Sequence, residues 1–153
     1  MDAELPSKTD QRLKKYRPKI KEVKAIYRLI NREIFYNRLS MPKIILKRLY
    51  DAIGICEGKE GPIRKTKSYC TLYLADRYYC QQWFISTLAH EMVHQYQWDI
   101  LSNIRVKRGM KRNMGHGPSF YMWRKKLAKH GIALKASAIH EHKWFRTQDT
   151  SIC

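Results

Sequence analysis

The segment HEMVH, residues 90–94, constrains this chain more than any other feature of its sequence. It lies in a stretch whose apolar residues, such as Leu88 and Met92, recur at helical spacing and predict a helix over 81–99. On that helix His90 and His94 are four residues apart and project from one face, so both rings can bind one zinc ion. A chain of this composition would contain the pattern by chance about 0.01 times.

Glu91 follows the first of these histidines and lies about 100° further round the predicted helix. From that position its carboxylate can reach a water molecule at the zinc ion and act as a general base. The pattern therefore predicts a hydrolytic zinc site with Glu91 as its catalytic residue. The simpler alternative is a helix whose two histidines, His90 and His94, are only polar surface residues.

A catalytic zinc site needs a third protein ligand and an open position. Gln97 and Ile100 occupy the positions at which the most compact motif of this kind requires glycine and histidine, and they exclude it. No glutamate occurs between Glu91 and Glu141, which excludes a glutamate ligand at an ordinary distance along the chain.

A downstream histidine meets the requirement. His116 lies 22 residues after His94, in the segment GHGPSF that precedes the next predicted helix. Gly115 and Gly117 would let the backbone turn tightly and direct His116 towards the site. We therefore expect His90, His94 and His116 to hold one catalytic zinc ion.

Other potential ligands have simpler explanations. His130 stands beside a helix-stop glycine and can interact with the helix C-terminus. His140 and His142 alternate at strand spacing and are typical of a surface pair. Asp99 is expected to be a charge at the end of the helix. Each of these four residues is a weaker candidate than His116.

Hydrophobic periodicity and turn residues predict one α+β domain. Helices are expected over 18–37, 81–99 and 118–129, and three short strands over 43–50, 52–57 and 69–75. The tail over 132–153 is ambiguous, because its apolar run could form a strand. The predicted architecture is a small three-stranded sheet packed against helices, one of which carries HEMVH.

The charge of the chain indicates a polyanionic partner. The chain contains thirty-one Lys and Arg residues and thirteen Asp and Glu residues, which gives a formal net charge of +18. Such a charge favours contact with DNA or another nucleic acid. The candidate contacts lie in two basic clusters: Lys14, Lys15, Arg17 and Lys19 in the first, and Arg105, Lys107, Arg108, Lys111 and Arg112 in the second.

Other classes of protein are disfavoured. No uncharged apolar run approaches the roughly 18 residues that span a bilayer, and the first fifteen residues contain no apolar core of a secretory signal. The four cysteines form no CxxC pair, which argues against a zinc ribbon. We therefore expect no membrane contact and a cytoplasmic or nucleoid-associated protein, in the host cytoplasm if it is viral.

Several segments together resemble the SprT-like family of zinc metalloproteases. They are NRLSMP after the first helix, STLAHEMVHQYQ, and GHGPSFYMWRKKLAKHGI downstream, and the resemblance covers about 22–131. HEMVH alone is shared with many zinc peptidases, whereas HEMVH followed about twenty residues later by GHGxxF is much more specific. The family includes Spartan-type proteases, which act on proteins crosslinked to DNA, and members from bacteria and phages.

The resemblance implies that His90, His94 and His116 bind zinc and that Glu91 is catalytic. It also implies a zincin-like metalloprotease domain over 18–131, after a basic segment over 1–17 and before an extension over 132–153. Many members carry a cysteine-rich zinc ribbon that is missing here, so nucleic-acid binding would rest on the basic surface of the domain. The expected function is zinc-dependent cleavage of proteins associated with nucleic acid, by a monomer. One alternative is a non-enzymatic DNA-, RNA- or nucleoprotein-binding protein that contains zinc, and a weaker one is a metal-dependent hydrolase that acts on something other than peptide.

Overall fold

The fold was obtained as a computed structural model and is described for residues 14–49, 52–61, 67–102 and 114–134. Its elements in chain order are helix α1 (Ile20–Glu33), strands β1 (Lys43–Lys47), β2 (Gly54–Gly58) and β3 (Cys70–Ala75), helix α2 (Gln81–Tyr96), a π-helical turn (Gln97–Leu101), and two short helices, α3 (Pro118–Tyr121) and α4 (Arg124–Lys129). The predicted α+β class with three strands is confirmed.

The three strands form one mixed sheet in the order β1-β3-β2. β1 runs parallel to β3, and β2 runs antiparallel to β3 with Cys56 opposite Leu72. The central strand β3 is buried along almost its whole length, including Leu72 and Leu74, as expected for a strand with neighbours on both sides. β2 is an edge strand, since no other described strand pairs with its second edge.

Helix α1 ends earlier than the predicted 18–37. Its last helical residue is Glu33, and the chain then turns through Tyr36 and Asn37, whose φ angles are 53° and 59°. The side chain of Asn31 stabilises this turn, because its amide donates to the Leu39 carbonyl at 2.8 Å and its oxygen accepts from the Leu39 N–H at 3.1 Å. A side-chain amide thus takes the place of further helical hydrogen bonds.

Helix α2 crosses the centre of the domain and contacts α1, β2 and β3. Twelve of its sixteen residues are buried, so the helix has no wide solvent-facing side. The predicted apolar face is present, but Glu91, His94 and Gln95 on other faces are buried as well. These buried polar side chains require partners within the domain.

The predicted helix over 118–129 is divided into α3 and α4, with Met122 and Trp123 between them. Its end matches the prediction, because Gly131 has a φ of +73°, which glycine adopts at little cost. The chain remains packed beyond that glycine. The Ser86 hydroxyl donates to the Ala133 carbonyl, and Leu134 is buried.

Within the described part of the chain, no helix is both long enough and apolar enough to cross a bilayer. Several predictions fall outside the described residues: the second basic cluster (Arg105, Lys107, Arg108, Lys111 and Arg112), His140, His142, and the extension beyond 134.

Candidate metal centre

The structure brings the three predicted histidines together. Nε2 of His94 lies 3.1 Å from Nε2 of His90 and 3.1 Å from Nε2 of His116. Nitrogens bound to one zinc ion at about 2.1 Å in tetrahedral geometry are roughly 3.4 Å apart. The three rings therefore fit a single zinc ion. Among the described residues, no other group of His, Cys, Asp and Glu has suitable spacing for a metal.

Two elements supply these ligands. His90 and His94 are one turn apart on α2, and His116 comes from the turn that leads into α3. Glycine was predicted to be necessary at position 117, but the structure does not require it there. Gly117 has a φ of −95°, and a Cβ there would meet no atom within 4 Å, so the backbone does not require glycine at that position.

Phe120 is the apolar support of the site. It is fully buried, and its ring centroid lies 4.8 Å from that of His90, 5.1 Å from His94 and 4.6 Å from His116. Packing against all three imidazoles limits their rotation. The sequence contained a signal for this role, the phenylalanine of GHGxxF, but the prediction assigned that residue no function.

Gln97 was also missed as part of the site. It is fully buried, and its Oε1 lies 2.7 Å from Nδ1 of His94. Its Nε2 donates to the Gly115 carbonyl at 2.9 Å and to the Ser119 hydroxyl at 2.9 Å. A polar residue three positions after a ligand histidine lies on the same helical face, which is the signal that could have identified it.

Burial favours the neutral form of His94. Removal of the ring from solvent lowers its pKa below the ordinary 6.5, although its hydrogen bond to Gln97 opposes that effect. A neutral imidazole with one unprotonated nitrogen is the form that binds metal.

Glu91 is the buried carboxyl group of the site. It is 3% exposed, and burial raises its pKa from 4.5 to about 8. Its Oε1 lies 4.0 Å from Nε2 of His90, so the carboxylate and the ligand cluster face the same space. Gly54 of β2 packs directly against it, since a Cβ on that glycine would lie 2.9 Å from Cγ of Glu91.

Asp99 has a different role from the predicted helix-end charge. Its carboxylate accepts hydrogen bonds from the Ser68 hydroxyl at 2.6 Å, the Tyr69 N–H at 3.1 Å and the Gln95 amide at 3.2 Å. The π-helical turn carries Asp99 towards the start of β3, where it links the sheet to α2. The helix predicted through 99 is α-helical only to Tyr96, and the π-helical turn that follows sets the direction of Asp99.

The members of the first basic cluster differ in how far their side chains are buried. Lys15, Arg17 and Lys19 are exposed, whereas Lys14 is only 3% exposed and its ammonium lies 4.9 Å from the centre of the Tyr79 ring. Lys15, Arg17 and Lys19 are thus the members of this cluster whose side chains reach solvent.

Comparison with known proteins identifies one family. A model of the SprT-like family matches residues 23–142, which is most of the chain, and agrees with the resemblance noted from the sequence. No curated protein matches the chain.

Proposed function

Because the chain belongs to the SprT-like family, we propose that it is a zinc metallopeptidase of the zincin kind. In this proposal His90, His94 and His116 hold one zinc ion, and Glu91 is the general base. The observation that carries it is the convergence of three imidazole nitrogens beside a buried carboxyl group. A purely structural zinc site has no need of that carboxyl group.

A zinc ion in this site would act as a Lewis acid on water and on the substrate carbonyl. Glu91 would accept a proton from the attacking water and then donate it to the leaving amine, so the peptide bond is hydrolysed without net change in the protein. Burial of Glu91 suits the second step, because it raises the pKa to about 8 and favours the protonated form that donates to the amine. A zinc ion held by the histidines would favour the carboxylate form that the first step needs.

The substrate would lie along β2. This strand has an edge that no described strand occupies, and its first residue, Gly54, packs against Glu91. An extended peptide that pairs with the free edge would pass beside the carboxylate and the histidine cluster. Main-chain pairing of this kind accepts many sequences, which suits a peptidase with broad specificity.

Nucleic-acid association is the second part of the proposal. Beyond the net charge of +18, the support is an aromatic and basic area that we call the Tyr36 surface. It is made of the exposed residues Tyr36 and Arg38 and of half-buried Lys126, whose ammonium also donates to the Ile34 carbonyl at 2.6 Å. Tyr36 is 66% exposed, the ammonium of Lys126 lies 3.6 Å from its ring centroid, and the guanidinium of Arg38 lies 5.8 Å away. Exposed rings beside cations bind single strands by stacking and charge.

Further phosphate contacts would come from Lys15, Arg17 and Lys19 and from the second basic cluster. The chain would then act as a monomer in the cytoplasm or at the nucleoid, on proteins associated with nucleic acid.

The test compares the wild type with Glu91→Gln, after each has been shown to bind one zinc ion. Cleavage of a DNA-binding protein is measured with and without DNA. We expect the variant to retain zinc and to lose at least about 100-fold in rate, since general acid–base catalysis contributes on that order. Glu33→Gln is the matched control, because Glu33 is exposed on α1 and hydrogen-bonds to Arg32.

Two results would contradict the proposal in different ways. Equal cleavage by the wild type and Glu91→Gln would remove the general-base role. Failure of the zinc-loaded wild type to cleave, combined with tight and salt-sensitive DNA binding, would favour the non-enzymatic binding protein.

A further inference from the structure

The two ends of the Gln97 amide can be told apart by their partners. One end faces the Gly115 carbonyl at 2.9 Å, and a carbonyl oxygen can only accept a hydrogen bond. That end must be the NH₂ group, so the other end is the oxygen. The oxygen lies 2.7 Å from Nδ1 of His94.

This orientation determines where His94 carries its proton. An amide oxygen cannot donate, so Nδ1 of His94 must carry the hydrogen that the 2.7 Å contact requires. In a neutral ring Nε2 is then unprotonated, and Nε2 is the nitrogen 3.1 Å from the corresponding atoms of His90 and His116. One side-chain amide thus selects the tautomer whose lone pair points into the ligand cluster.

The same amide connects the two segments that supply the ligands. Gln97 begins the π-helical turn after α2, and its NH₂ group donates to Gly115, next to His116, and to Ser119 of α3. The side chain is 0% exposed, so water does not compete for these bonds. A shift of the His116 segment relative to α2 would break two hydrogen bonds in the interior.

We propose that Gln97 is a positioning residue of the metal centre. It holds His94 in the Nδ1–H tautomer and fastens the His116 segment to α2, so that the three ligand nitrogens converge. This inference rests on the zinc site of the proposed function, but it does not depend on peptide cleavage. Outer partners of this kind change metal affinity typically about 10- to 100-fold.

The first test reads the tautomer directly. Two-bond proton–nitrogen NMR spectra of the ¹⁵N-histidine-labelled full chain are recorded in chelator at pH 8. We expect the Nδ1–H form for His94 in the wild type and in Gln97→Glu, whose carboxylate oxygen still accepts that hydrogen. In Gln97→Ala the ring should shift towards the Nε2–H form that free imidazoles favour. A wild-type His94 in the Nε2–H form would overturn the proposal even if the alanine variant did not fold.

The second test measures zinc affinity by competition with a chromogenic chelator. We expect Gln97→Ala to weaken zinc binding about 10- to 100-fold. Gln97→Glu should show a smaller loss, because it keeps the contact to His94 but presents no donor to the Gly115 carbonyl. Zinc binding by Gln97→Ala within about threefold of the wild type would contradict the proposal.

Gln95→Leu is the matched control. Gln95 is also a fully buried glutamine near the end of α2, but no ligand histidine is among its partners. Its oxygen accepts from Tyr27, and its NH₂ group donates to Ser40, Ser68 and Asp99. It should lower the Tm of the metal-free protein and leave both the His94 tautomer and the zinc affinity unchanged. If the Gln97 results hold while the wild type cleaves no protein, the positioning role stands and the peptidase proposal fails.

Discussion

At the scale of single residues, the proposed catalytic carboxyl group of Glu91 depends on Gly54, because glycine has no side chain that would occupy its place. Gly54 leaves a gap on β2 that Glu91 fills, and a Cβ there would lie 2.9 Å from Cγ of Glu91 and 2.9 Å from Cγ2 of Thr87. Both neighbours are buried on α2 and cannot swing into solvent. The distance between the edge strand and the carboxyl group therefore depends on glycine at this position.

Gly54→Ala should displace Glu91 or push β2 away from α2. We expect the cleavage rate to fall about 10-fold or more and stability to fall by roughly 1–3 kcal/mol, as for other overpacked interiors. Zinc affinity should stay near the wild-type value, because the atoms nearest to a Cβ at position 54 belong to Glu91 and Thr87 rather than to a ligand histidine. The readouts are cleavage kinetics, chelator competition and denaturant unfolding.

Gly117→Ala is the control for this change. It also replaces a glycine near the site, next to His116, but a Cβ there meets no atom within 4 Å. It should behave as the wild type. A Gly54→Ala variant with unchanged cleavage would show that the close approach of β2 does not position Glu91.

At the scale of elements, the end of α2 departs most from its predicted form. Apolar residues at helical spacing predicted the helix itself, and α2 begins at Gln81 as expected. The same pattern cannot reveal a π-helical turn, since widening one turn changes the direction of only the residues that follow it. Those residues include Gln97 and Asp99, and their contacts with the His116 segment and with β3 could not be read from periodicity.

The turn after α1 and helix α4 together form the Tyr36 surface. Tyr36 has a φ of 53°, in the left-handed region, where a bulky residue costs more free energy than glycine. This cost favours a functional reason for tyrosine at position 36. Residues 114–134 contain no Asp or Glu, so the basic side chains of α4 are not neutralised within their own segment.

Tyr36→Ala should weaken binding to a fluorescent single-stranded oligonucleotide roughly 5-fold or more, because stacking on one ring is worth about 1–3 kcal/mol per base. The salt dependence should be unchanged by this variant, whereas Lys126→Gln should lower its slope by about 0.7. Fluorescence anisotropy at several salt concentrations gives both quantities. Tyr36→Phe keeps the ring and is the control; an alanine variant that binds as the wild type would exclude stacking at this position.

At the scale of the whole molecule, folding, protonation and metal binding are linked through the site. In the metal-free protein burial raises the pKa of Glu91 to about 8, whereas the unfolded chain releases that proton near pH 4.5. Between these values the folded state binds the extra proton, so stability falls as pH rises. His94 has the opposite effect in acid, because its pKa is lowered from 6.5 and the unfolded chain takes up the proton first.

The Tm of the chelated protein should therefore fall as pH increases from 6.5 to 8, where only the Glu91 effect remains of these two. Glu91→Gln should flatten that dependence, since glutamine does not titrate. Zinc added at a fixed pH should raise the Tm of both proteins, because only the folded chain presents the assembled site. Identical pH profiles for the wild type and Glu91→Gln would show that burial of this carboxyl group does not control stability.

Features that depend on short-range spacing along the chain could be predicted before the fold was known. Two histidines one turn apart, the glutamate between them, the three strands and the helix-ending Gly131 follow from local geometry, and GHGxxF identified His116 as the third candidate ligand. The tertiary structure decided what depends on the meeting of distant segments. It placed Phe120 against three rings, Gln97 between His94 and Gly115, and Gly54 against Glu91, and it buried Lys14. These contacts join residues from separate elements, and no periodicity within one element encodes which side chains will meet.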